Sequence, residues 1–296
     1  MTDISFTIRY RIRIWELAII KFPIAIKLFK NPLLDTMKIM FGKIPLSINF
    51  KDGHSFTSYD PFKFYDMRSL PYAEFVYSFG DKKVRIIHAE RGEVEEVFIN
   101  QAYSWLPVKD KVVLDIGANI GDSSIYFALN GAKHVYAFEV VPSTAKLCRE
   151  NVVINNLGDR VTVFNVGIGK PRSIKISSRI KTDGSFQVHE NMDGDSYVEI
   201  RSLQQIVDDL RINNAVMKID CEGCEYEVIN HSSIDSLKRF SHIIGEYHYG
   251  FDALKGPLKG SGFDFFFTKP APFYSPANTP KELWTETFKA IRKPDK

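Results

Sequence analysis

Residues Val112–Ser124 read VVLDIGANIGDSS. An apolar run enters Asp115, and two glycines, Gly117 and Gly121, then stand on either side of Asn119. A short apolar run stopped by turn residues predicts a buried strand, and the residues after Gly121 predict a helix. Glycine allows a sharp turn and a close approach to a ligand, because no Cβ stands in the way. Strand, tight turn and helix N-terminus in succession present backbone amides that favour negative charge, such as a carboxylate.

The same rhythm continues along the chain. KVVLDIG is the first buried strand, and DSSIYFALNGA is a helix stopped by Asn130-Gly131. HVYAFE is a second strand, and a helix runs from Pro142-Ser143 through TAKLCRENVVINN. RVTVFNVGIG is a third strand running into a loop, SLQQIVDDLRI is helical, and AVMKID is a fourth strand. CEYEVINHS is a helix, HIIGEYH a fifth strand, and FDFFFTK a late strand expected reversed at the sheet edge. Alternating strands and helices predict an α/β, doubly wound, mainly parallel sheet covered on both faces. The polar run Lys181–Ser196 interrupts the rhythm and is expected to form a lid or substrate loop, with His189 solvated within it.

The chain has 296 residues, 44% of them apolar and 25% charged, which are ordinary globular values. A net charge of +3 is too small to argue for nucleic acid. With 23 Phe and 13 Tyr, a generous core or an aromatic-lined pocket is expected. The three cysteines (Cys148, Cys221 and Cys224) imply no disulfide framework and fit a reducing compartment. The lone C-x-x-C, CEGC, reads first as two small side chains beside a strand end and second as a thiol redox pair.

Residues 1–105 read as an N-terminal extension with substrate or oligomer contacts. Residues 106–275 read as the ligand-binding domain and 276–296 as a tail with no assigned element. Arg9–Asn31 is interrupted by Glu16, Lys21 and Lys27, so it predicts no spanning helix. It reads as a helix pair broken near Pro23, with contact to an anionic membrane surface as the alternative. Helical segments run to Gly42, and IPLSINFKDGHSFTSYD predicts a hairpin around Asp52-Gly53. Short strands are expected in VRIIHAE and EEVFI.

In open α/β sheets, ligands bind beyond the carboxyl ends of the strands. A dinucleotide fingerprint needs G-x-G-x-x-G, but its later glycines are replaced here by Asn119 and Asp122. A carboxylate at Asp122 repels a pyrophosphate. S-adenosylmethionine carries no phosphate, and Asp115 is placed to accept from its ammonium, directly or through water. Glu139 ends the second strand, 18 residues past Gly121, where an acid grips both hydroxyls of a ribose. The bland alternative is that Asp115 and Glu139 only cap helices.

The stretch VVLDIGANIGDSSIYFALNGAKHVYAFEVVPSTAKLCRENVVINN, with MKIDCEGCEYEVI and IIGEYH, resembles the FkbM-type methyltransferases. The resemblance runs from about Lys111 to Tyr249. It implies a class I S-adenosylmethionine-dependent fold of seven strands with the last one reversed, and O-methylation of sugars, polyketides and related metabolites. Carried over, the cofactor residues are Asp115, Gly117, Asn119, Gly121 and Glu139, with Asn165 and Val166 near the adenine. The family's K-x-D-x-E-G-x-E pattern falls on Lys218, Asp220, Glu222, Gly223 and Glu225. A proline usually comes directly after the ribose acid, and Val140 stands there instead.

Methyl transfer needs acceptor oxygen, methyl carbon and sulfur in line, and a group to take the hydroxyl proton. Asp220, at the end of the fourth strand, is the first candidate. Glu246 and His248, two residues apart on the fifth strand, share a face, and His248 titrates near neutrality. Lys218 joins this set as a charge partner of Asp220. Against these roles, Glu222 and Glu225 open a helix, where acids need no further reason. No metal ligand is assigned, although Asp220, Glu246 and His248 also suit a divalent metal orienting a diol. The expected protein is a cytoplasmic methyltransferase, peripheral to the membrane in the alternative reading. It takes a small-molecule or glycan acceptor and no nucleic acid, and a homo-oligomer is left open. RNA methylation and a non-catalytic cofactor-binding protein are the rival readings, and a nicotinamide dehydrogenase is disfavoured by Asn119 and Asp122.

Overall fold

The computed structural model describes residues 14–16, 18–20, 22–41, 46–51, 55–58, 71–177, 194–269 and 286–293. The Lys181–Ser196 loop, with His189, falls almost wholly outside them. The chain divides into two compact units, Met1–Glu96 and Val97–Lys296.

The first unit contains α1 (Phe22–Leu28), α2 (Pro32–Phe41), β1 (Leu46–Asn49), β2 (Ser55–Ser58), β3 (Pro71–Phe79), β4 (Lys82–Glu90) and α3 (Arg91–Val94). Pro23 and Pro32 lie in the first turns of their helices, where a missing N–H costs nothing. β1 and β2 pair antiparallel, Leu46 opposite Ser58, on either side of the Asp52-Gly53 turn, which lies outside the described residues. Leu46 and Ile48 point inward, and with Ile14, Ala25, Phe29 and Ile39 they form a small core. EEVFI, expected as a strand, is instead a π-helical turn, Glu95–Ile99, continuing from α3. Val94, Val97 and Phe98 are buried at helical i, i+3, i+4 spacing, and that spacing overrode the β-type composition of the fragment.

The second unit contains β5 (Val112–Ile116), α4 (Asp122–Leu129), β6 (His134–Phe138), α5 (Pro142–Ile154), β7 (Val161–Phe164), β8 (Gly167–Ile168), β9 (Arg172–Ile176) and β10 (Ser196–Arg201). It continues with α6 (Leu203–Asp209), β11 (Ala215–Ile219), α7 (Glu225–Asn230), α8 (Ile234–Leu237), β12 (Phe240–Tyr247), α9 (Asp252–Gly260), β13 (Phe263–Phe267) and β14 (Glu286–Arg292). Seven strands form the main sheet in the order β13-β14-β12-β11-β5-β6-β7. β11 is buried at all five positions, as a central strand covered on both faces must be, and its neighbour β5 at four of five. A Ser202–Gln205 capping box starts α6, and Asn130 with left-handed Gly131 stops α4. The fold is the class I methyltransferase type, a Rossmann-like doubly wound sheet with one reversed strand.

Two expectations at the C-terminal end are corrected. Phe263–Phe267 is the edge strand but is not the reversed one. The strand antiparallel to both its neighbours is β14, inserted between β12 and β13 and taken from residues read as tail. Its inward signal is only Phe288 and Ala290, two positions in a segment reached through a proline-rich stretch. RVTVFNVGIG also splits. β7 ends at Phe164, while β8 joins a side sheet, β8-β10-β9, with its own small core of Ile174, Ile176, Val198 and Ile200.

Candidate active site

The glycine turn after β5 is shaped by the protein's own packing. Gly117 (φ 75) has the backbone of Asp220 against it, and a Cβ there would run into the Asp220 carbonyl oxygen. A Cβ on Gly121 (φ 91) would stand 2.7 Å from Cys148 Sγ on α5. These glycines let the β5 exit pack against the β11 exit and α5, a reason for glycine additional to the expected approach of a ligand. Asn119, also left-handed at φ 45, belongs to a residue type that tolerates the conformation.

Glu139 links the two neighbouring strand exits. Its Oε2 accepts from the Asn119 N–H at 3.0 Å, and its Oε1 accepts from the Val141 N–H at 2.8 Å. Each oxygen keeps a second lone pair, so a grip on two hydroxyls remains available. Burial pushes its carboxyl pKa up. The Asn165 amide donates to the carbonyls of Glu139 and Val140 at 2.8 and 2.9 Å, so it fixes the β6 exit. Val166 is half-buried and packs on the main core.

Asp115 is fully buried. Its Oδ2 accepts from the hydroxyls of Ser123 and Ser124 at 2.7 and 2.6 Å, and its Oδ1 lies 3.4 Å from Lys218 Nζ. The carboxylate thus anchors the first turn of α4, and the direct ammonium contact expected of it has no exposed surface to use. Lys218, also buried, donates to the Gly117 carbonyl at 2.7 Å and lies 3.9 Å from Asp220. Burial alone lowers an ammonium pKa, but here the Asp115 and Asp220 carboxylates outweigh it and raise the value. Lys218 is therefore a fixed cation beneath the turn, a positioning residue rather than a catalytic one.

Asp122 opens α4, buried, and its carboxyl pKa is pushed by burial from 3.8 to about 6. The folded value exceeds the unfolded one, so the stabilisation is complete below pH 3.8 and is lost as pH rises through about 6. Asp122→Asn, which cannot ionise, should melt higher than the parent above that pH, by an equivalent of roughly 3 kcal/mol. Thermal melts across the window should show the advantage shrinking toward acid. An advantage independent of pH would refute the assignment.

On the other side of the turn, Asp220, Glu246 and His248 converge, their ligating atoms all within 4.8 Å of one another. The hydroxyl of Tyr103 donates to Asp220 Oδ2 at 3.3 Å. Fully buried Glu225 accepts from the His248 backbone N–H at 3.0 Å and lies 2.9 Å from Nδ1, which turns Nε2 toward Glu222 and Glu246. Burial alone lowers an imidazole pKa, but the Glu225 contact, with Glu222 and Asp220, raises this one to about 9. His248 therefore keeps its proton at neutral pH, contrary to its expected role as a base. Cys221 and Cys224, expected to be free, form a disulfide across a turn that brings their Cα atoms to 5.4 Å. It closes the loop holding Glu222 and Gly223 at φ 55 and 109.

Residues 115–274, more than half of the chain, match the methyltransferase FkbM domain. The chain belongs to the FkbM methyltransferase family. Its domain is accordingly that of an S-adenosylmethionine-dependent methyltransferase. It is 26% identical over 146 residues to uncharacterized protein 158B of Sulfolobus islandicus rod-shaped virus 1, which is 49% of this chain and 68% of the viral protein. It is 38% identical over 92 residues to protein arginine N-methyltransferase 1.1 of Arabidopsis thaliana, which is 29% of this chain and 22% of the plant enzyme. Among solved structures it is similar to precorrin-6y C5,15-methyltransferase from Geobacter metallireducens GS-15. That likeness has 16% identity, 68% of this chain, 90% of the other and a TM-score of 0.38.

In this FkbM-family site sequence reasoning missed Tyr103 altogether and, although the family pattern marked Glu225, missed what Glu225 does. Tyr103 lies before the first strand of the main sheet, in a stretch with no periodicity to mark it. Glu225 looked like any acid at a helix start, because the sequence does not reveal that it is buried under His248.

Proposed function

We propose that the protein transfers the methyl group of S-adenosylmethionine to a hydroxyl of a sugar, glycolipid or other polyhydroxylated metabolite. The observation that carries this reading is the acidic cluster of Asp220, Glu246 and His248 beside the cofactor turn. Carboxylates in such a setting accept hydrogen bonds from hydroxyls and remove a proton from one of them. The same carboxylates repel a phosphate backbone, which argues against RNA as acceptor.

Asp220 takes the hydroxyl proton as the oxygen attacks the methyl carbon. The new C–O bond forms as the C–S bond breaks, and the sulfonium leaves as a neutral thioether. His248, held as imidazolium by Glu225, balances the carboxylates and orients the acceptor. Glu139 and the Gly117–Gly121 turn hold the nucleoside.

A second reading of the same cluster is a divalent metal bound by Asp220, Glu246 and His248 Nε2, with Glu225 orienting the ring as carboxylates do behind metal-ligating histidines. Bound there, the metal supplies a positive centre for adjacent hydroxyls. The experiment offers methyl-labelled S-adenosylmethionine with glycan, glycolipid and RNA fractions, each with EDTA or with added Mn²⁺. Label in a base-stable ether on a glycan or glycolipid is the expected product. Label in RNA alone would overturn the proposal, and loss of transfer in EDTA would select the metal-bound form.

A further inference from the structure

We infer that the N-terminal unit docks on an anionic membrane surface through the outward side of its first helices. The observation is an inversion of α2. That helix buries Asp35, Thr36 and Ile39 and turns Leu33, Met37 and Phe41 outward, with 66%, 51% and 59% of their surface exposed. The three outward residues have i, i+4, i+8 spacing and so form one stripe. Buried Asp35 is satisfied where it is, accepting from the Asn31 N–H at 3.2 Å and from Lys38 Nζ at 3.0 Å. These contacts fix the helix with its apolar stripe facing out. Ile19 and Ile20, just before α1, are 70% and 68% exposed. Single exposed apolar residues are ordinary, but this many between Ile19 and Phe41 is not.

The charge of the segment names the occupant. Residues 1–51 carry nine Lys and Arg against three Asp and Glu, a net +6 in a chain whose total is +3. The remainder is therefore net negative, and the basic excess is confined to the segment with the apolar stripe. A second copy would bring an equal positive charge to the same face, whereas an anionic bilayer offers both the apolar layer and the opposite charge. Among the described residues no helix is long and apolar enough to cross a membrane, and Glu16, Lys21 and Lys27 interrupt the apolar run of Arg9–Asn31; the contact inferred is one of lying on the surface. The inference is independent of the methyl acceptor.

The test is flotation of the full chain with vesicles of phosphatidylcholine, alone or mixed with phosphatidylglycerol. Recovery with the anionic vesicles should exceed that with neutral ones at least tenfold and should fall as salt is raised. The variant Leu33→Ser/Leu34→Ser/Met37→Ser, which leaves Phe41 on the Trp15 ring, should lose binding while its melting temperature stays that of the parent, because the three side chains are exposed. Equal recovery with and without anionic lipid would overturn the inference, as would full binding by the triple variant. So would a parent dimer in sedimentation that the triple variant dissociates, without vesicle binding, because that would assign the stripe to a second copy.

Discussion

Asp220→Asn should lower kcat by about 10²–10⁴-fold, the usual weight of a general base, while leaving S-adenosylmethionine affinity nearly unchanged. The substitution keeps the shape of the side chain and an oxygen for the Tyr103 hydroxyl. It leaves the Asp220 backbone, against which Gly117 packs, unaltered, and Lys218 retains Asp115 and the Gly117 carbonyl as partners. What is removed is the ability to accept a proton. A loss seen only in KM, or a fall in melting temperature that accounts for the lost activity, would make Asp220 a scaffold residue. Full activity would transfer the base role to Glu246, the remaining carboxylate of the cluster.

Glu139→Ala should weaken S-adenosylmethionine binding by about 10²-fold in calorimetry. Two charge-assisted hydrogen bonds to ribose hydroxyls are lost, each worth roughly 1.5–3 kcal/mol. The loss is compounded because the Asn119 and Val141 N–H groups lose the acceptor that holds both strand exits in place. Glu139→Gln should not rescue binding, since its NH₂ end faces either a donor amide or a ribose hydroxyl with no negative charge to offer. A melt of the ligand-free variants separates the two contributions, and unchanged affinity in both variants would remove the ribose assignment.

The sheet was legible where residues are constrained on both faces. β5 and β11 are continuous apolar runs, and α4 and α6 carry start or stop residues at their ends. β14 escaped because a strand with two inward residues, reached through a proline-rich stretch, resembles a loop. EEVFI misled because valine and phenylalanine favour strands, while their spacing with Val94 favoured a helix. In the site, residue types were legible and their duties less so. Asp115 and Lys218 belong to the motif that the sequence marked, yet burial turns both into supports. Glu225 and Tyr103 act across 23 and 117 residues of chain, on His248 and Asp220, a distance no local pattern spans.

Gly117 touches the backbone of Asp220, and the ammonium of Lys218 is bound to the Gly117 carbonyl and stands near Asp220. In the proposed reaction, the rim for the methyl donor and the rim for its acceptor are therefore held by one packing contact. A substitution that displaces either strand exit is thus expected to disturb both Glu139 and Asp220. One residue's missing side chain is what lets the two strand exits meet.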